Sequence, residues 1–395
     1  MSPSPPDAER LPLLLVVGPV PPPPHGTSVY VRMLLDSPLV ARRWRVAHLD
    51  TSDRRSLENL GRVDLGNVRL GLVHAWRLAA WLVRDRPRVV WIPLSQNAPA
   101  YLRDALFIVL ARVGGARVVG HLHGGWFHEF HRRAALPLRW LVQGTCRLLS
   151  AAWVLGPALR ECFAGLVPGP RVRVVPNGVP DPGAGPRPLD RARPFTVLYL
   201  GQLSQPKGVD DLIAAFASLP AADARLTIAG EWLTRADERR IRAAIAASPA
   251  RARIELIGTV DAAGKARCLE GADVLVLPTR QPEGQPLVVL EAMAASLPVI
   301  ATRRGAIPDM VHDGITGVLV PEADPAGLAS ALERLERDRA LGARLGQEGR
   351  RLWARAFTAE QAMARVAEEL EPFSGRPLAG TASDAFVASG SSVAS

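Results

Sequence analysis

From Leu13 to Val175, short apolar runs alternate with longer stretches whose apolar positions recur every three or four residues. The runs Leu13–Gly18, Arg45–Leu49, Val89–Leu94, Arg117–Leu122, Ala152–Leu155 and Val172–Val175 predict β-strands. The stretches near Thr27–Leu35, Leu70–Val83, Tyr101–Val113 and Leu136–Leu149 predict helices between them. A second series follows, with strands at Thr196–Leu200, Arg225–Ala229, Arg253–Ile257, Val274–Leu277, Val299–Ala301 and Gly317–Val320. Its helices fall near Val209–Ala217, Ala236–Ala247, Ala262–Glu270, Leu287–Ala295 and Pro325–Arg337. Strict β-α alternation predicts an α/β chain with doubly wound parallel sheets covered on both faces. Ligands of such sheets bind at the carboxyl ends of the strands.

Between the two series, Pro176 to Pro194 is rich in proline and glycine and has no period, as expected of a linker. The division is an N-terminal domain over 1–180, a linker over 181–194 and a C-terminal domain over 195–355. Two further helices are predicted near Leu341–Ala354 and Ala359–Leu370. From Ser374 the chain is small and polar, the composition of a disordered tail over 374–395.

Composition narrows the picture. With 48% hydrophobic and 22% charged residues the chain is globular. No apolar run reaches the roughly 18 residues of a membrane-spanning helix. The opening carries acids before a short apolar run containing proline, which reads as a first strand rather than a signal peptide. Three scattered cysteines, Cys146, Cys162 and Cys268, without a C-x-x-C, fit a reduced, cytoplasmic setting.

The net charge is +10, but Lys207 and Lys265 are the only lysines among 48 basic residues; the others are arginine. That bias weakens the charge as a sign of nucleic acid, and no basic stripe is interleaved with stacking aromatics. An anionic membrane surface is the better use for it, at the inner face of a cell membrane. The bias also makes a lysine informative: Lys207 marks a position where a compact ammonium is wanted.

The segment with most chemistry runs from Asp273 to Thr302, read as strand, loop, helix, strand. Glu283 lies in the loop and Glu291 eight positions on, the one polar side chain of an otherwise apolar helix. A lone carboxylate there is costly to bury unless something hydrogen-bonds to it. Pro286 fits the first helical position, so free helix amides would point into the Gln281–Gln285 loop, an anion seat.

This segment resembles the nucleotide-binding part of retaining glycosyltransferases of family 4 (glycosyl transferase group 1), which have the GT-B fold. Glu283 and Glu291 match the family's E-x7-E signature, followed by a nearly intact EAMAxGxPVIAT in which Ser296 replaces glycine. The resemblance implies two Rossmann-like domains facing a cleft, with the last helix, near 359–370, packing back onto the first. By the same resemblance Glu283 bonds the donor sugar, Glu291 the ribose, and the amides of Gly284, Gln285 and Leu287 face sugar and phosphate.

Other junctions fit that scheme. Gly201-Gln202-Leu203 through Lys207-Gly208 resembles the family's G-R-L-x-x-x-K-G, whose cations bind the donor diphosphate. Lys207 matches; Gln202 takes the arginine's place and removes a charge. Gly258 stands where the nucleotide base packs, and Gly230-Glu231 lines the same cleft. Gly26 and Thr27, at a helix start after the first strand, stand where the family has a Gly-Gly turn near the diphosphate; a proline-rich loop with a serine or threonine cap is the plainer reading. Pro176-Asn177-Gly178-Val179 keeps the family's domain junction but is also a generic turn.

Val118 to His131 holds His121, His123, His128 and His131, half of the chain's eight histidines. Four imidazoles suggest zinc, but no cysteine or H-E-x-x-H accompanies them. The resemblance instead makes His123 the residue contacting the transferring sugar, with His121 packed behind it and His128 and His131 on a solvated or membrane-facing helix. Phe130 to Leu149 holds Arg132, Arg133, Arg139 and Arg147 and no acid, so it lies on an anionic bilayer or simply covers the sheet.

The resemblance therefore implies a retaining transferase for a nucleotide-diphosphate sugar. Its acceptor would be a glycan, a lipid-linked sugar or a small molecule, in polysaccharide, glycolipid or other glycoconjugate biosynthesis. It implies no cofactor and no metal, and D-x-D is absent from the sequence. The expected catalytic set is Glu283, His123 and Lys207. The alternatives are an epimerase on the same fold and a non-catalytic binding subunit; a phosphorylase would want a pyridoxal lysine, for which two lysines leave little room.

Overall fold

The computed structural model describes residues 11–22, 24–52, 65–183 and 193–375. Its first half is a six-stranded, all-parallel sheet of β1 (Leu13–Gly18), β2 (Arg45–Asp50), β3 (Val89–Leu94), β4 (Arg117–Leu122), β5 (Ala151–Val154) and β6 (Val172–Val174), in the order β2-β1-β3-β4-β5-β6. The chain steps one way from β1 to β2 and the other way from β2 through β5. Right-handed crossovers therefore put the connections on opposite faces. On one face lie α1 (Gly26–Leu35) and α2 (Pro38–Ala41), whose Tyr30, Leu34 and Val40 pack with Val16, Trp91 and Trp153. On the other lie α3 (Leu65–Arg84), α4 (Ala98–Val113), α5 (Phe127–Arg133) and α6 (Leu136–Leu148), whose Leu78, Ile108, Phe127 and Val142 pack with Val17, Ile92 and Val154.

The second half repeats the plan. Strands β7 (Thr196–Leu200), β8 (Arg225–Ala229), β9 (Ile254–Gly258), β10 (Val274–Leu277), β11 (Val299–Thr302) and β12 (Gly317–Val320) form a parallel sheet ordered β12-β11-β10-β7-β8-β9. Helices α7 (Val209–Ala217), α8 (Arg235–Ala247), α9 (Ala262–Gly271), α10 (Leu287–Ala294), α11 (Pro325–Arg337) and α12 (Arg339–Ala356) join and cover them. Strand β10 is wholly buried at the middle of this sheet, which puts the loop after it over the centre of the carboxyl edge.

The halves are tied by two chain crossings that run side by side. Val179 N–H donates to Phe357 O at 3.0 Å and Ala359 N–H to Val179 O at 3.0 Å. Beyond that bridge α13 (Ala359–Leu370) returns to the first half, where Ala362, Met363, Val366 and Leu370 join the cluster of Tyr30 and Trp44. The predicted linker over 181–194 falls mostly on 184–192 and the predicted tail mostly on 376–395, both outside the described residues.

Two local expectations are corrected. Phe130 to Leu149 is shared by two helices: α5 ends at Arg133, and α6 starts at Leu136 with Pro137 in its first turn. The acid-free reading of that stretch also changes, because Glu129, one residue upstream, accepts from Arg132 at 2.8 and 2.7 Å and from Arg133. Pro286 is the residue before α10 rather than its first residue, with φ −59° and ψ 119°, as an extended cap requires.

Candidate active site

Residues of both halves meet at the facing carboxyl edges of the two sheets. From the second half comes the β10–α10 loop. Lys207 Nζ donates to Glu283 Oε1 at 2.6 Å, and Thr279 Oγ1 donates to the same oxygen at 2.8 Å. Both bonds fall on Oε1. The Lys207 and Glu283 side chains are only 17% and 12% exposed, which makes the pair stronger than a surface bridge.

Lys207 is held by its loop. The single turn Gln205–Lys207 ends at Gly208, whose left-handed φ of 71° and close approach to Pro278 O leave no room for a Cβ. Arg280 stitches the two loops together: its N–H donates to Pro206 O at 2.8 Å, and its guanidinium forks onto Asp211 at 2.8 and 2.6 Å. Arg280 is therefore spent on Asp211 and does not supply the cation missing at Gln202. Gln202 itself is exposed, and its carbonyl accepts from Tyr199 OH at 2.9 Å.

Glu291 has found the partner that a carboxylate on an apolar helix needs. Lys265 Nζ, on α9, donates to Glu291 Oε1. The only two lysines of the chain thus each hold one of the two glutamates of the signature. Sequence reasoning assigned Lys207 and left Lys265 aside. The scarcity of lysine that singled out Lys207 applied equally to Lys265.

Helix α10 has no side-chain cap and no acid in its first turn, so the amides at its start face the loop unopposed. Leu287 begins that helix, and Gly284 precedes it in the loop. Gln285, by contrast, turns its side chain towards Asn177. Its Oε1 accepts from Asn177 N–H at 2.6 Å and its carbonyl from Asn177 Nδ2 at 2.9 Å, both buried. The expectation for Gln285 concerned its backbone amide; its side chain fastens the loop to the Pro176–Val179 junction, which gives Asn177 a definite task.

From the first half comes the β4–α5 loop. Gly125 and Gly284 lie against the opposite loop so closely that a Cβ on either would collide with the carbonyl of Glu283 or of His123. His123 stands over an aromatic floor: Tyr30 at 4.7 Å between ring centroids, His121 at 4.2 Å and Trp91 at 5.9 Å. Burial, and then the neighbouring His25, push its pKa down to about 3, so its imidazole is neutral at physiological pH. His121 is fully buried, and desolvation drives its pKa well below the usual value. It is the packed residue expected. His128 is exposed and His131 half-buried, and neither joins the others. Among the described residues no three His, Cys, Asp or Glu side chains gather as a metal site would require.

Gly26 and Thr27 open α1 beside this loop, but the cap is His25, not serine or threonine. Its Nδ1 accepts from Ser28 N–H at 3.3 Å, while Ser28 Oγ accepts from His25 N–H at 2.9 Å. Gly26 is exposed with open space around it. In the second sheet Gly201 follows β7, next to β10, and Gly258, with φ 72°, ends the edge strand β9. Open space also surrounds Gly258.

Two facing Rossmann-like sheets, with a paired carboxylate and ammonium at their carboxyl edges, are the GT-B architecture of sugar transferases. Residues 194–338 match the family described as Glycosyl transferases group 1. The alpha-D-kanosaminyltransferase of Streptomyces kanamyceticus is 30% identical over 314 residues, 73% of this chain and 80% of that protein. The chain belongs to the group 1 glycosyltransferases. A glycogen synthase of Mycobacterium tuberculosis is 32% identical over 241 residues, 58% of this chain and 55% of that protein, so the match spans about half its length. Among solved structures, Anabaena Alr3699/HepE in complex with UDP-glucose superposes with a TM-score of 0.72 at 16% identity, over 91% of this chain and all of that one. No helix among the described residues is long and apolar enough to cross a membrane.

Proposed function

We propose that this glycosyltransferase moves a hexosyl-type sugar from a nucleotide-diphosphate donor to an acceptor hydroxyl with retention of anomeric configuration. The observation that carries the reading is the pairing of Lys207 with Glu283 and of Lys265 with Glu291. Each glutamate keeps one oxygen clear of its lysine, suited to a hydroxyl of the sugar at Glu283 and of the ribose at Glu291. Lys207, released from Glu283 by a bound diphosphate, neutralises the charge that develops on the leaving nucleotide. The amides at the start of α10, near Gly284, Gln285 and Leu287, add to that effect, and Gly26 and Thr27 approach the same phosphates from the first half. Gly201, Gln202 and Gly258 border the nucleotide. These groups supply the counter-charge without a metal or cofactor.

Neutral His123 is placed in this reading to accept or donate one hydrogen bond at the transferring sugar. The acceptor hydroxyl enters from the face the nucleotide leaves, which gives retention without a covalent intermediate. Such a hydroxyl belongs to a glycan, a lipid-linked sugar or a small molecule, in glycoconjugate assembly on the cytoplasmic side of a membrane. The UDP-glucose bound to Anabaena HepE supports a nucleotide sugar as donor. The test is a thermal-shift screen against nucleotide sugars, followed by product analysis with the stabilising donor labelled in its sugar. Transfer with an unchanged anomeric coupling in the product spectrum is expected. Inverted product, or epimerised free donor, overturns the reading.

A further inference from the structure

Helices that cover a sheet ordinarily turn a polar face to water. The outer layer of the first half turns apolar side chains out among its arginines. Helix α4 buries Tyr101, Ala105, Ile108 and Ala111 inward, yet its outward line is Leu102, Leu106, Val109 and Val113. Those four recur at steps of four, three and four, so they form one stripe along the helix. A helix with an apolar stripe on its outer side as well as its inner one is expected to be covered on both.

Its neighbours extend the stripe into a surface. Helix α3 presents Leu72, Trp76 and Val83, and α6 presents Leu136 and Trp140. Trp76, Trp140, Val83 and Val113 are 72%, 68%, 78% and 83% exposed, which no isolated surface residue would make notable but a contiguous set does.

Charge identifies what covers it. Helices α3, α4 and α6 carry Arg69, Arg77, Arg84, Arg103, Arg112, Arg139 and Arg147. Against these stands one acid, Asp104, which is buried and bonded to Ser95 N–H at 2.8 Å and to Arg103. Among the described residues no carboxylate pairs with Arg77, Arg139 or Arg147. A second copy docked by a two-fold axis would set this arginine-rich face against itself. An anionic bilayer answers both features: apolar side chains and tryptophans enter the headgroup boundary, and arginines meet lipid phosphates.

We propose that the outer face of α3, α4 and α6 docks peripherally on an anionic membrane. The proposal rests on this surface and is independent of the donor chemistry, so its test reads binding and not turnover. Purified protein is floated with vesicles of phosphatidylcholine alone or mixed with phosphatidylglycerol, at low and high salt, and sedimented without vesicles. Flotation only with the anionic vesicles, weakened by salt, is expected. Trp76→Glu, Val113→Glu and Trp140→Glu each weaken it about tenfold or more, the scale of moving a large side chain out of the boundary. Arg77→Gln combined with Arg139→Gln and Arg147→Gln weakens it without touching the apolar stripe. Ile315→Glu, exposed on the second half, leaves it unchanged. Wild-type protein that floats with neither vesicle overturns the proposal, as does a dimer broken by Val113→Glu that ignores lipid, or flotation indifferent to these substitutions.

Discussion

Lys207 Nζ sits 2.6 Å from Glu283 Oε1, and the bond joins the loop after β7 to the loop after β10 within the same half. The pair holds each partner in place before any ligand arrives, which is what preorganised catalysis requires. Lys207→Ala is expected to lower kcat by about a hundredfold or more, the scale of removing one electrostatic stabiliser from a transition state. Lys207→Arg recovers only part of this, because a planar fork does not replace a compact ammonium between two loops. Steady-state kinetics with the donor found by screening decide it. Equal, small losses in Lys207→Ala and Lys265→Ala would remove the leaving-group role.

Lys265 is expected to act on affinity instead. It holds Glu291 from α9, and in the proposed reading it acts through that carboxylate on the ribose. Lys265→Met leaves Glu291 without its partner on an apolar helix, so the carboxylate reorients or takes up a proton. Donor KM should rise about tenfold with kcat reduced far less, the pattern of lost uniform binding. A kcat loss as deep as that of Lys207→Ala, at unchanged KM, contradicts this division.

Much of the fold was legible because its signals are local. Buried parallel strands such as Val274–Leu277 are unbroken apolar runs, and caps and prolines mark the helices between them. The same locality explains what sequence missed. The pairing of Lys265 with Glu291 crosses from one helix to another, and the bond of Asn177 to Gln285 spans 108 positions. Glu129 neutralises Arg132 and Arg133 from just outside the window in which they looked unopposed. The apolar outer faces of α3 and α4 looked like ordinary core periodicity, because a stripe in sequence does not say which side of the helix meets water.

Ser296 occupies a left-handed conformation, with φ 56°, directly after α10. Glycine pays no steric penalty there, whereas a residue with a Cβ does. Ser296→Gly is expected to stabilise the fold by about 1 kcal/mol, offset in part by the greater freedom of glycine when unfolded. Chemical denaturation at equilibrium measures it. A loss of stability would mean that the Ser296 hydroxyl supports the helix end more than its backbone strains it.

His123 carries a pH dependence whose sign follows from its burial. Its folded pKa of about 3 lies below the ordinary 6.5, so the unfolded chain binds the proton more readily. Its contribution to stability is complete above pH 6.5 and is lost as pH falls towards 3. His74, lowered to about 4 by burial and by Arg103 and Arg77, adds to the same slope. In His123→Gln the fall in stability between these limits should be shallower. Activity of the wild type should show no break near pH 6.5 from this residue, since it stays neutral throughout. Thermal unfolding across pH 4 to 7, for wild type and variant side by side, tests both; parallel slopes would mean that His123 is solvated and titrates normally.

Asn177 is where the two halves are fastened next to the chemistry. Its backbone N–H and its side-chain Nδ2 both bond Gln285, and the site is buried. In Asn177→Ala the Gln285 carbonyl loses one donor while the backbone bond survives, so the cost is that of one buried acceptor, about 1–3 kcal/mol. Gln285→Ala removes the other bond and leaves Asn177 N–H unpaired, at a similar cost. The two changes touch one contact, so the double variant should lose less than their sum. Because Gln285 adjoins Gly284 and the start of α10, a loosened Asn177 also lets the anion-facing amides drift, and donor KM should rise in step with the lost stability. Denaturation and kinetics on the three variants separate the cases. Additive losses, or a stability loss with donor KM unchanged, would show that Asn177 and Gln285 only join the halves and do not position the donor loop.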